Sequence, residues 1–217
     1  MPITMNEEKK GEFVFEFKRK MFHYILGTVI AYAVYFLYPT YKNLLLAPLI
    51  IAIVIMWIIP CIPAERRWIS NHLLYHFERE KDKKEFPFKG AIYFGLGIIP
   101  PIVLLPPDAF GAPRLACAVI AILAGGDAFS TLVGKFYGRF RIGHKSIEGF
   151  FAFIIFSYMM ATVTRFADLK TALALSVAGA IIEFITTIDD NLAIPWGLTI
   201  VILLIHEIAP NLLFTVW

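Results

Sequence analysis

Seven stretches of this chain, at residues 22–38, 44–59, 90–105, 115–134, 147–165, 171–188 and 194–210, are almost wholly apolar and lie between charged clusters. Their lengths suit helices that cross about 30 Å of hydrocarbon, which takes roughly 17–25 residues. With 59% hydrophobic and 17% charged residues, the chain has too little polar surface to cover a water-soluble globule. The expected architecture is therefore all-α: a polytopic transmembrane helical bundle of about seven spans, forming one integral membrane domain over residues 1–217. The polar stretch 1–20 is too acidic for a secretory signal and is expected to be a cytoplasmic tail or interfacial helix, with residues 1–11 a short solvated tail leading into a helix.

The loop charges set the expected orientation. Sixteen of the 20 Lys and Arg residues fall in the amino-terminal tail, in loop 61–89 or between residues 135 and 145. The alternate loops hold only Lys42, Arg114, Arg165 and Lys170. The positive-inside rule puts the amino terminus, both basic loops and the turn at residues 189–192 in the cytoplasm. Within loop 61–89, the spacing of Trp68, Leu73, Leu74 and Phe77 predicts an interfacial amphipathic helix. Pro100–Pro101 and Pro106–Pro107 predict a kinked or short third span. Cys61 and Cys117, with no second ligand at metal spacing, are expected to be packing residues.

Two motifs, at residues 125–149 and 183–195, carry the candidate chemistry. Asp127 sits inside an apolar run, where a charge costs at least a few kcal/mol and so generally faces a cavity or a partner. Gly126, Ser130, Gly134 and Gly138 recur every fourth residue, a small-residue face along which a helix or a ligand can approach closely. Lys135, Arg139, Arg141 and Lys145 follow before Glu148; they are candidates for phosphate binding as well as topology determinants. Residues 138–146 nearly spell a nucleotide P-loop, but His144 is inserted before Lys145 and no α/β domain surrounds them. Ser146 can still cap the next helix, whose free N–H groups together with Lys145 can hold an anion.

In the second motif, Glu183, Thr187 and Asp190 fall at i, i+4 and i+7, one stripe of the helix that ends the sixth span, with Asp189 and Asn191 beside them. Neighbouring carboxylates repel unless a cation or a base lies between them, the logic of a divalent-metal site. Where the chain enters the membrane, Arg19 and His23 share a face beside Lys20. These are snorkelling residues or, alternatively, phosphate ligands and, for His23, a proton acceptor.

The run GDAFSTLVGKFYGRFRIGHKSIEG, the later E-x5-DDNLAIP and the entering RKMFH together resemble the CTP-dependent lipid kinases: dolichol kinase, phytol kinase and the CTP-using diacylglycerol kinase. The resemblance implies a polytopic enzyme that transfers the terminal phosphoryl group of CTP, with Mg²⁺ or another divalent cation, to the hydroxyl of a membrane lipid alcohol. Phosphatidate cytidylyltransferase is related through the same Asp-Ala, Gly-Lys and Lys-x-x-Glu-Gly pattern. Its terminal Asp-Arg-x-Asp signature is absent, and residues 189–192 read Asp-Asp-Asn-Leu instead.

On this reading Asp127, Asp189 and Asp190 hold the metal, and Lys135, Arg139, Lys145, Ser146, Arg19 and Lys20 bind nucleotide phosphates. Asp127, Glu148, Glu183 and His23 are the catalytic candidates, and Gly126, Ser130 and Gly134 line a groove for the lipid. A shared ion cluster requires Asp127 and Asp190 to lie within about 15 Å of each other. The expected partners are CTP, a lipid alcohol from the inner leaflet and membrane lipids, but no nucleic acid; a homodimer is an open assembly state. A cytidylyltransferase making a CDP-lipid is the nearest alternative. A small transporter is the alternative from another class, since intramembrane carboxylates also mark ion pathways.

Overall fold

A computed structural model describes residues 7–62, 78, 79, 82, 86–108 and 111–208. The amphipathic helix expected over residues 61–89 lies largely outside the described residues. Among those described, the chain folds into seven α-helices, here α1 (Glu7–Tyr41), α2 (Leu46–Ile58), α3 (Lys89–Leu104), α4 (Arg114–Phe136), α5 (Ile147–Val163), α6 (Leu169–Ile185) and α7 (Asp190–Ile208). Between α4 and α5 a small antiparallel hairpin pairs β1 (Arg141–Ile142) with β2 (Lys145–Ser146).

Each helix coincides with one of the apolar runs, and three stretches are long and apolar enough to cross a membrane by length and composition: Lys9–Tyr41, Arg114–Phe136 and Asp190–Ile208. The chain reads as a helical membrane protein. Helix α3 is short, holds Pro100 and Pro101, and gives way to extended backbone at Leu105. Large apolar side chains such as Phe36, Trp57, Ile155, Val163, Ile200 and Ile208 point outward, as a lipid-facing surface requires.

The centre of the bundle is α4. From Ala116 to Ala124 every one of its residues is fully buried, and α1, α5, α6, α7 and α3 all touch it. That wrapping brings Asp127, three residues further on, among several helices. The small residues of α4 allow the closeness: a Cβ on Gly126 would stand 2.5 Å from the Phe153 ring of α5. At Gly126 the seam is thus a helix–helix contact, and it opens into a cavity only one turn later.

Two sequence expectations are corrected. The solvated tail expected before the first span is helical from Glu7 and continues without a break to Tyr41, 35 residues in all. Its early turns are rich in helix-forming Glu and Lys, and Phe13 packs edge-on against Phe136 of α4, 5.0 Å between centroids. The stripe from Glu183 through Thr187 to Asp190 does not exist as one helix. Helix α6 ends at Ile185, Thr186 is extended, and a new helix starts at Asp190. Asp189 caps that start by accepting the Asn191 backbone N–H at 3.1 Å, which satisfies a donor that the helix cannot satisfy itself.

Helices α3 and α7 approach so closely that a Cβ on Gly97 would overlap the Asn191 carbonyl oxygen. Backbone cannot yield as a flexible side chain can. Gly97→Ala is therefore expected to lower stability by about 1–3 kcal/mol, read as a drop in thermal unfolding temperature in detergent, whereas Gly11→Ala, which meets nothing within 4 Å and gains helix propensity, should not lower it.

Candidate active site

Four separate segments meet at one end of the bundle: the early turns of α1, residue Arg79, the α4–α5 hairpin, and the junction between α6 and α7. Inside apolar surroundings each charge needs a partner, and the charges here fall into three linked groups.

The deepest group joins α1 to α4. Lys20 Nζ donates to Asp127 Oδ2 at 2.6 Å, and both residues are buried. Thr131 adds a longer contact to Asp127 Oδ1 at 3.5 Å. His23 lies within electrostatic reach of Asp127 and edge-on to Phe94, with centroids 4.6 Å apart. Among the described residues, His23 Nε2 and Asn191 Oδ1 are both buried without a hydrogen bond of good geometry, and the two side chains stand near enough to interact.

A second group joins the hairpin to α6 and α7. Lys145 Nζ donates to Glu183 Oε1 at 2.6 Å and to Asp190 at 2.9 and 3.1 Å. One lysine thereby does what a continuous helix would have done, bringing Glu183 and Asp190 side by side. Burial works against the Lys145 charge, but Asp190 and Glu183 outweigh it and hold the ammonium above the ordinary lysine range. The two acidic motifs are linked through the wall of one cavity, which is lined both by Thr131, in contact with Asp127, and by Lys145, paired with Asp190.

The third group centres on Glu16, which is only 2% exposed. Its Oε2 accepts from both Arg19 Nε and Nη2, at 3.0 and 2.8 Å. Its Oε1 accepts from Arg79 at 2.8 Å and from Lys135 at 3.2 Å.

Between the second and third groups lies a cavity of about 350 Å³, within the range of small-ligand sites. Arg79, Lys135, Arg141, His144 and Lys145 contribute basic side chains to it, against the single acid Glu183. Ser130, Thr131, Gly134, Ser146, Gly149 and Phe150 complete the wall. Ser146 caps α5 by accepting the Gly149 N–H at 3.0 Å, so the amino-terminal end of that helix, with its partial positive charge, borders the cavity.

Glu148 accepts the backbone N–H groups of Arg139 and Phe140 at 2.9 and 3.2 Å, closing the loop before the hairpin. Asp189 is engaged as the cap of α7. Arg19, Lys20 and Arg139 do not line the cavity, while Ser130 and Gly134 do. Among the described residues no three His, Cys, Asp or Glu side chains stand together as a metal-binding group; Lys20 and Lys145 neutralise the carboxylates instead.

Sequence reasoning did not single out Glu16, Arg79 or His144. For Glu16 a signal existed: Glu16, Lys20, His23 and Gly27 are spaced as one helical stripe, and a lone acid on it is hard to explain at a lipid surface. For Arg79 none existed, because its place depends on a long connection.

No family model matches the chain. Among curated proteins, the uncharacterized protein MJ1137 of Methanocaldococcus jannaschii is 31% identical over 195 residues, which cover 86% of this chain and 92% of that protein. Dolichol kinase sec59 of Schizosaccharomyces pombe is 30% identical over 137 residues, covering 58% of this chain and 27% of the kinase. No solved structure matches.

Removing Lys145 leaves Glu183 and Asp190 facing each other with no cation between them. Lys145→Ala is expected to cost about 1–3 kcal/mol, less than a fully buried pair because the lysine is partly exposed. Since the folded state raises the Lys145 pKa above 10.5, its contribution is complete below that value and fades as the pH rises through the higher folded one. Unfolding measured against pH should show this alkaline loss in the parent and not in Lys145→Ala.

Proposed function

We propose that this chain, which belongs to one family with the Methanocaldococcus jannaschii protein, is a CTP-dependent kinase that phosphorylates the hydroxyl of a membrane lipid alcohol. The observation that carries the proposal is the basic cavity between α4 and α5, set beside carboxylates from α4, α6 and α7 at one end of an apolar bundle. The stretch of similarity to dolichol kinase supports the same class of reaction. Candidate acceptors are polyprenols such as dolichol, phytol-like isoprenoid alcohols and diacylglycerol. The end of the bundle that carries the site is assigned to the cytoplasm from its excess of Lys and Arg, with the seven helices as spans.

Phosphoryl transfer asks the protein for charge neutralisation and for in-line placement of the acceptor oxygen. Lys135, Lys145 and Arg141 suit the nucleotide phosphate oxygens, with Arg79 and the α5 amino terminus alongside. Asp127 and Asp190 offer the hard oxygen donors that Mg²⁺ takes one or two at a time together with substrate phosphates, and the ion supplies neutralisation of the developing charge. When phosphates arrive, Lys145 can exchange its hold on Asp190 for a phosphate oxygen, freeing that carboxylate.

The lipid hydroxyl oxygen attacks the terminal phosphorus. As the new O–P bond forms, the bond to the bridging oxygen breaks, and CDP leaves with that electron pair. The hydroxyl proton passes to His23, in the middle of α1, or to Asp127 of α4.

The test combines purified protein, labelled CTP, Mg²⁺ and a panel of lipid alcohols. CDP and a phosphorylated lipid are expected; release of pyrophosphate would instead identify a cytidylyltransferase, and no turnover with any alcohol or with phosphatidate would refute the assignment. Asp190→Asn should lower turnover by about a hundredfold or more while Glu183 keeps Lys145 paired. Asp127→Asn is a less clean probe, because it also leaves Lys20 buried without its carboxylate.

A further inference from the structure

The Glu16 carboxylate has no place in the phosphoryl-transfer scheme, yet it is buried, as Asp127 and Glu183 are. An acid at this spot should weaken a neighbouring anion site by simple charge. Its hydrogen bonds argue for a compensating role. Through one oxygen, Oε1, Glu16 holds Arg79 at 2.8 Å and Lys135 at 3.2 Å, and both of these cations line the cavity. They come from separate parts of the chain, one from the connection before α3 and one from the end of α4. Without an anion between them they would repel each other and lose their common orientation.

The other oxygen is held by the Arg19 fork from the same helix. That fork fixes the carboxylate itself, so α1 presents Oε1 in one position. We infer that Glu16 is a positioning residue for phosphate binding, gathering Arg79 and Lys135 at the wall of the cavity so that a polyphosphate meets cations already in place. The inference rests on the cavity being a phosphate site, as proposed above.

The sign of the effect follows from what remains when Glu16 is neutralised. Lys135 then keeps, of its two carboxylate contacts, only the one at 2.8 Å with Glu12, a half-exposed residue one helical turn nearer the amino terminus. Arg79 loses the carboxylate that receives its Nε. Two cations then have to be ordered by the ligand itself, and that ordering is paid for out of binding free energy.

The experiment uses the full chain in detergent or nanodiscs and inorganic tripolyphosphate as the probe, with affinity measured by calorimetry. Glu16→Gln is expected to weaken binding about tenfold, the scale of one charged hydrogen bond, and Glu16→Asp, which keeps the charge, by no more than about threefold. A merely structural role would show as lost thermal stability without this ordering of the variants. In an Arg79→Gln, Lys135→Gln background, Glu16→Gln should have no further effect, because the groups it acts through are gone. This comparison stands even if the single variant folds poorly.

Unchanged or tighter binding in Glu16→Gln would overturn the positioning role and make the carboxylate a competitor for the cations. Parent protein that binds no tripolyphosphate would refute the phosphate site itself, and the positioning role with it. Binding by the parent that is lost in Lys145→Ala, yet unaffected by Glu16→Gln, would uphold the site and reject only the role of Glu16.

Discussion

A charge removed from water into an apolar bundle must find an opposite charge or a dense set of hydrogen bonds, and the site end of this protein is organised by that requirement. Lys20 with Asp127, Lys145 with Glu183 and Asp190, and Glu16 with Arg79 and Lys135 each join segments far apart in sequence. Each partnership supplies packing information that apolar contacts alone could not. Leucine against isoleucine permits many registers between two helices, whereas a 2.6 Å contact between Lys20 and Asp127 permits essentially one.

The same pairings leave the site charged yet quiet. Every carboxylate proposed to meet a metal or a proton is held by a lysine or a helix end, and several of the cations proposed to meet phosphate are held by a carboxylate. Such a site has its electrostatic equipment assembled before a ligand arrives, and binding exchanges partners instead of creating charges. The exchange is local for Lys145, which stands at the cavity wall with Glu183 as a second acceptor when Asp190 is withdrawn. Lys20, buried with Asp127 between α1 and α4, would have to yield that carboxylate in the same way.

Glycine and other small residues carry the complementary task. Gly126 admits the Phe153 ring, Gly97 admits the backbone of α7, and Gly134 with Gly149 keeps the α4–α5 seam narrow where the cavity begins. Close helix approach at these points sets the distance between acids and bases that belong to different helices. The seam of α4 thus serves two purposes along its length, helix packing at Gly126 and a cavity wall at Ser130 and Gly134.

Among the described residues, the sequence alone determined that each of the seven apolar runs is helical and, except at the start of α1, roughly where each helix lies, because apolar runs of this length have few other solutions. It also singled out Asp127 and Glu183 as charges inside apolar runs, Lys145 and Asp190 as candidate site residues in the stretches that follow them, and Ser146 as a helix cap. Only the tertiary structure decided that Glu183 and Asp190 lie on different helices, that α1 extends back to Glu7, and that Glu16 gathers Arg79 and Lys135. The physical reason is range. Helix formation follows from neighbours three and four residues apart, but the choice of charge partners depends on contacts across more than a hundred residues in the pairings Lys20–Asp127 and Glu16–Lys135, and no local periodicity records it.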